Sequence, residues 1–305
     1  MFRFVLGRLL GSLVVIFVVA TASFLLLHAA PGGPFETDAR RSAAVTNAME
    51  ERYGLHDSLW TQYTRELGHL AGGDLGMSMK RDVSVNQLIA EHGPVSAMVG
   101  LCGLAMAVIF GVLMGVIAAW RRNTWVDYLL MGIALVGISV PSFVVGPMLI
   151  AFVSLQLGVL PAARIDGLTS YILPSVTLGL IYIGTVARLA RGGMLEALAQ
   201  DFVRTARAKG LSERVVVWKH ALRVGITPVV TYLGPATAAM ISGSFVVEKI
   251  FQIPGLGTYF VNSITDRDYP VLTGVFVFYA ALLVLLNLAV DIAYGILDPR
   301  VREAR

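Results

Sequence analysis

The residues best suited to chemistry lie between Asp201 and Pro228. There DFVRTARAKGLSERVVVWKHALRVGITP gathers Arg204, Arg207, Lys209, Arg214, Lys219 and Arg223 in a segment with no apolar run of membrane-spanning length. Side chains of this kind pair with carboxylates, phosphates or headgroups; they contact rather than catalyse. Elsewhere the machinery of catalysis is missing. No G-x-x-x-x-G-K-[ST] occurs and Gly-Lys is absent as a dipeptide, so no P-loop is expected to cradle ATP. H-E-x-x-H and G-x-S-x-G are absent too. The histidines, His28, His56, His69, His92 and His220, lack metal-ligand spacing and read as surface or interface residues. The single cysteine, Cys102, can form neither an internal disulfide nor a cysteine metal cluster. One carboxylate remains of interest. Asp291, with Asn287 one turn earlier on the same face, is either an intramembrane relay group or, two turns before Asp298, a group hydrated at the inner interface. No catalytic, cofactor or metal site is expected.

The elements that must position these residues are read from composition. Of 305 residues 56% are hydrophobic and 14% charged, with a mean hydropathy of +0.73; soluble domains carry about 25% charge. This composition is that of an integral membrane protein. A bilayer core takes about 20 helical residues to cross, and six runs qualify: Leu9 to Ala29, Val95 to Trp120, Tyr128 to Leu157, Tyr171 to Ala190, Ile226 to Val247 and Pro270 to Leu297. They lack the alternation of barrel strands, so an all-α membrane fold of six helices is expected. The first run exceeds a signal-peptide core, and Pro31 after Ala30 makes a poor cleavage site, so it reads as a retained helix.

Orientation follows from the basic residues. With the N-terminus inside, the short inner segments hold Arg3, Arg8, Arg121, Arg122, Arg188, Arg191, the cations of the 201–228 segment, Arg300, Arg302 and Arg305. Positive charge favours the cytoplasmic side, which puts both termini and the 201–228 segment there. The same bias accounts for the basic pI of about 9.3 without any nucleic-acid partner. The segment from about Gly32 to Pro94 then lies outside as a small cap, with short helices near Ser42 to Tyr53 and Ser58 to Ala71. The expected division is 1–94, first helix plus external cap, and 95–305, the core membrane domain with a cytoplasmic loop at about 191–225. Glu248 and Lys249 read as the outer end of the fifth span.

Small residues and prolines recur in the spans: Gly111 and Gly115 form a GxxxG, and Pro141 and Pro147 interrupt the third run. On the fifth span Gly234, Thr237 and Ser242, with Asn287 and Asp291 on the sixth, are the candidates for lining a pathway. Within the cytoplasmic loop Leu195, Leu198, Ala199, Phe202 and Ala206 follow one helix face, and Gly210 suits the helix stop beside Lys209. Ser212 is a candidate cap for a second helix. Glu213 would complement its positive end, and Val215, Trp218 and Leu222 would form an apolar row. From these residues alone, the pair would suit either a membrane surface or a partner protein.

The sequence RTARAKGLSERVVVWKHALRVGITPVV resembles the cytoplasmic EAA loop of permease subunits in binding-protein-dependent ABC importers, in its oligopeptide and dipeptide version. Arg204, Thr205 and Ala206 stand where the generic loop has Glu-Ala-Ala, Gly210 at its glycine, and Arg223 at its usual proline. APGGPF, GDLGMS, PSFVV, ARLARGGMLE, PGLG, RDYPV and LDPRVR extend the resemblance over nearly the whole chain. The resemblance implies a type I ABC importer permease fold in a bacterial inner membrane. It also implies a second homologous permease subunit, two cytoplasmic ATPases that hold ATP and magnesium, an external solute-binding protein and a peptide substrate. Arg204, Thr205, Ala206, Arg207, Ala208, Lys209 and Gly210 would contact the ATPase, with Ala206 allowing close approach. Pro254, Gly255, Leu256 and Gly257 would face the binding protein or its cargo, or simply close the span. A nickel or glutathione importer of the same group is the nearest alternative. An ion-coupled carrier using Asp291 is the reading from another class.

Overall fold

The computed structural model describes residues 2–29, 32–35, 43–242 and 244–297. Every regular element among them is helical, apart from an isolated antiparallel bridge between Met77 and Ser84. By its contacts the chain divides into two compact units, one formed by 1–95 with 254–288, the other by 96–253 with 289–305.

Five helical stretches are long and apolar enough to cross a membrane: Leu10–Ala29, Val85–Trp120, Leu168–Leu198, Thr227–Ile250 and Tyr269–Ala289. The third apolar run departs from expectation. Instead of one helix it forms α5 (Trp125–Ser139) and α6 (Ser142–Leu149), the latter continued by a π-type turn (Ile150–Gln156), with a bend of 103° between the halves. Pro141 explains the break: proline disfavours helical geometry in the residue before it, and Val140 is extended at φ −90°, ψ 119°. Counting the bent pair as one span gives six.

The first unit contains α1 (Phe2–Ala29), α2 (Ala43–Tyr53), α3 (Leu59–Ala71), the start of α4 (Val85–Trp120), α13 (Leu256–Asp266) and most of α14 (Tyr269–Leu297). Ser58 caps α3 by accepting from the Thr61 backbone N–H at 3.2 Å. Two of the quoted motifs meet here. Asp268 of RDYPV is buried, accepts from the Met79 N–H at 3.0 Å, and takes a second bond from the Ser78 hydroxyl of GDLGMS. Arg267 ends α13 in the left-handed region at φ 55°, which turns the chain into α14. Helix α13 lies in the stretch between the fifth and sixth apolar runs.

The second unit is built on α7 (Ile172–Leu198), against which α4, α5 and α11 (Thr227–Ser242) pack. The GxxxG performs as expected: a methyl group on Gly115 would sit 2.4 Å from the Ala187 carbonyl oxygen, and one on Gly111 2.7 Å from the Val186 side chain. Gly115→Ala should therefore force α4 off α7 and cost about 1–3 kcal/mol. A lowered thermal unfolding midpoint of the purified chain, larger than for Gly192→Ala, where nothing lies within 4 Å, checks this. Helix α12 (Phe245–Ile250) closes the Thr227–Ile250 stretch, with Glu248 and Lys249 near its end. The Glu248 side chain is nonetheless fully buried and accepts from the Ser244 hydroxyl at 2.5 Å.

Candidate functional site

The loop that holds the cations is a compact helical turn packed on the bundle. Helix α7 stops at Leu198 and α8 (Asp201–Ala208) begins after an extended Gln200 at φ −78°, ψ 156°. The single face expected from Leu195 through Ala206 is therefore split. The interruption resets the register, so α8 buries Val203 and Ala206 and leaves Ala199 and Phe202 exposed. Ala206 thus serves the close packing of α8 on the bundle, not an outward approach. Gly210 follows at φ 77°, a conformation that favours glycine, and its N–H bonds back to the Arg207 carbonyl at 2.9 Å.

The return strand of the loop also differs in its face. Helix α9 (Glu213–Val215), a π-type turn (Val216–Ala221) and α10 (Leu222–Gly225) run on continuously. The wider turn shifts the apolar face: Val216, Val217 and Ala221 are buried, while Val215 and Trp218 point out. Ser212 takes the extended cap geometry but makes no side-chain cap bond. Glu213 instead accepts from Arg207, at 2.7 Å from Nε and 3.3 Å from Nη2. That bond holds the Arg207 guanidinium above its ordinary range. Arg207 is therefore a brace across the Gly210 turn.

The buried side chains of the loop belong to one core with the bundle: Val203, Ala206, Val216, Val217 and Ala221 join Val116 and Ala119 of α4 and Ala190, Met194 and Ala197 of α7. The fit is close, since a methyl group on Gly193 would lie 2.2 Å from the Gly225 carbonyl oxygen. Outward from this anchored base, Phe202 (37% exposed), Leu211 (39%), Val215 (37%) and Trp218 (38%) present apolar surface. Exposed Arg204, Thr205, Ala208 and Lys209 stand among them. Among the described residues Arg204 makes only a 3.5 Å contact with Asp201, both side chains being solvated. A mixed apolar and basic surface on a rigid base is suited to docking a protein partner.

A second pair, absent from the sequence reading, fixes the approach to this loop. Arg191 on α7 donates from Nε and Nη2 to the two oxygens of Asp127 on α5, each at 2.7 Å. Asp127 also accepts from the Asn123 N–H at 3.0 Å, and its side chain is only 3% exposed. Sixty-four residues separate the partners, and each alone looks like an ordinary charge at a span end.

The remaining candidates are more dispersed. Gly234 is buried in α11, and Thr237, half-buried, donates its hydroxyl to the Leu233 carbonyl of its own helix at 2.6 Å. Asn287 is half-buried on α14; the side chains of Ser242 and Asp291 lie outside the described residues. Before α13 Pro254 is exposed and its carbonyl accepts from His92 Nδ1 at 2.8 Å. Gly255 opens α13, Gly257 is buried, and Leu256, 1% exposed, packs inward beside Gly93.

Residues 111–303 match the family described as binding-protein-dependent transport system inner membrane component, and residues 1–97 match its N-terminal component. The chain is 42% identical over 305 residues to the oligopeptide transport system permease protein OppB of Haemophilus influenzae, covering 99% of this chain and 100% of that one. It is 42% identical over 303 residues to the dipeptide transport system permease protein DppB of Bacillus subtilis, covering 99% and 98%. With the glutathione transport system permease protein GsiC of Escherichia coli it shares 40% over 304 residues, covering 99% of each. Among solved structures the MetNI methionine ABC transporter matches with a TM-score of 0.59 at 16% identity, over 70% of this chain and 97% of that one, a likeness of fold.

Proposed function

Because the chain belongs to the inner membrane components of binding-protein-dependent transport systems, we propose that its cargo is peptide and that partner ATPases drive it through the loop at Arg204–Gly210. The chain is a permease subunit of a binding-protein-dependent importer, a multi-pass protein of the bacterial inner membrane. The rest of the reading is ours. The bent pair α5 and α6 counts as one of six spans, and both termini face the cytoplasm with the basic loop. The chain has no ATP site; ATP and magnesium sit on two cytoplasmic ATPases. A second permease subunit completes the pathway in the lipid bilayer, and an external binding protein delivers the peptide.

The observation that carries the coupling role is the outward surface of Phe202, Arg204, Lys209 and Trp218 held on a base buried in the bundle core. A helix resting on lipid would turn its apolar face away from the bundle; here the face is divided, half into the core and half outward. Motion of a docked ATPase is then passed to α7, α4 and α11 as a rigid-body shift, since packed cores are bistable and do not deform continuously. Gly234, Thr237, Ser242, Asn287 and Asp291 are our candidates for the pathway. Pro254 and the following Gly255–Gly257 turn are our candidates for the outer contact.

Peptide as cargo rests on relatives named for oligopeptide and dipeptide transport. Proteoliposomes carrying the assembled transporter and its binding protein should accumulate trileucine only with ATP inside the coupled compartment. Accumulation of glutathione or nickel in its place would transfer the reading to the same-family alternative. Uptake driven by a proton gradient without ATPases, and lost in Asp291→Asn, would replace it with an ion-coupled carrier.

A further inference from the structure

The first unit forms a cavity of about 410 Å³, half open to solvent and walled by the last turns of α1, by α2 and α3, by residues 74–79 and by the first turns of α14. Most polar groups on its wall are already committed. Arg65 donates to Asp57 at 2.8 Å, Arg52 lies 3.5 Å from Asp82, and His69 Nδ1 meets Asp74 at 3.0 Å. The His28 ring nitrogens face the Phe24 carbonyl at 2.9 Å and Gln62 Oε1 at 3.1 Å. Gln62 in turn donates to the Leu55 and Asp57 carbonyls at 3.0 and 2.8 Å.

A buried hydroxyl and a carboxyl without an ion pair among the described residues remain, and they adjoin. The Thr273 hydroxyl, on a residue 2% exposed, has no hydrogen-bond partner. The half-buried Glu66 carboxyl faces this hydroxyl, which acts on it as a hydrogen-bond donor, and it forms no ion pair among the described residues. Burial pushes Glu66 above the usual carboxylate range, against a weaker opposing pull from Thr273 and His28. A buried polar group without a partner costs stability unless something else supplies the bond. Around these two, the tilted rings of Phe24 and His28 lie 4.0 Å apart and Tyr269 lies 5.2 Å from His28, with Leu27 and Leu70 completing an apolar wall. The guanidiniums on this wall are paired and about half exposed among the described residues; what remains is a carboxylate acceptor beside a hydroxyl in an aromatic, apolar pocket.

We propose that this cavity binds a primary ammonium carried on a small apolar body, with Glu66 as its counter-ion and Thr273 as a second acceptor. Two sources offer that chemistry: the free amino end of a peptide and the ethanolamine headgroup of a phospholipid. The inference concerns a cavity apart from the coupling loop and does not depend on the transport reading. Only the ionised carboxyl pairs with an ammonium, so binding strengthens as pH rises through the raised Glu66 pKa. The other titratable groups facing it are His28 from α1, Arg52 and Tyr53 from α2, Arg65 and His69 from α3, Asp74 and, from α14, Tyr269.

The test is calorimetric titration of the purified full chain in nanodiscs with hexylammonium and with hexanol. Hexylammonium should bind about tenfold tighter, and Glu66→Gln should remove the difference. Equal affinities for the two probes, or an unchanged preference in Glu66→Gln, would overturn the proposal; if the variant does not fold, the wild-type comparison alone decides. Trileucine against N-acetyl-trileucine, and phosphatidylethanolamine against phosphatidylglycerol nanodiscs, then distinguish the peptide source from the lipid one.

Discussion

With Phe202→Ala and Arg204→Glu combined in one chain, ATP-dependent uptake should fall about 30-fold while folding and insertion stay normal. Both side chains point away from the bundle: Phe202 is 37% exposed, and the Arg204 side chain is 79% exposed with a weak 3.5 Å contact to Asp201. Helix α8 is held instead by Val203 and Ala206, which the double variant leaves in place. A truncated aromatic and a reversed charge at the centre of a docked surface cost about 2 kcal/mol, which is that factor in affinity. The check is uptake in proteoliposomes alongside co-purification of the ATPases. Val203→Asp is the contrasting case. It places a carboxylate in the shared core and should abolish accumulation of the chain itself.

The second large effect is at the base of the loop. Asp127→Ala should lower the unfolding free energy by about 3 kcal/mol, because it strands Arg191 and removes the acceptor for the Asn123 N–H at once. The pair is bidentate and its carboxylate side chain 3% exposed, so solvent screens it little. Arg191→Lys keeps the charge but cannot donate in parallel from a fork, and should recover only part of the loss. Thermal unfolding of the purified variants, with Arg122→Ala as a control on a nearby exposed arginine, reads the difference. A midpoint equal to that of the parent in Asp127→Ala would remove this pair from the account.

What the sequence made legible follows from the range of the forces involved. Apolar runs and basic flanks are local, so the spans and the cation-rich loop could be read directly. GxxxG packing was visible because Gly111 and Gly115 have a fixed spacing whatever helix they meet. The bend at Pro141 was marked by its proline, but its size depends on how α5 and α6 each pack on neighbours. The face of the loop was misread at Gln200, where no glycine or proline announces the break, and again at Val216–Ala221, where a π-type turn shifts the register. Asp127–Arg191 and Ser78–Asp268 were out of reach for another reason. Each joins residues far apart in sequence, and each residue alone has an ordinary local explanation.

The central claim is that the surface around α8 touches an ATPase. The most direct measurement places a photo-crosslinking residue at Phe202 in the assembled transporter, with Val159, an exposed residue between Gln156 and Leu168, as the comparison site. The account predicts a covalent adduct with the ATPase subunit from position 202 and none from position 159. Adducts from position 202 confined to lipid, with the ATPase captured from position 159 or not at all, would contradict it.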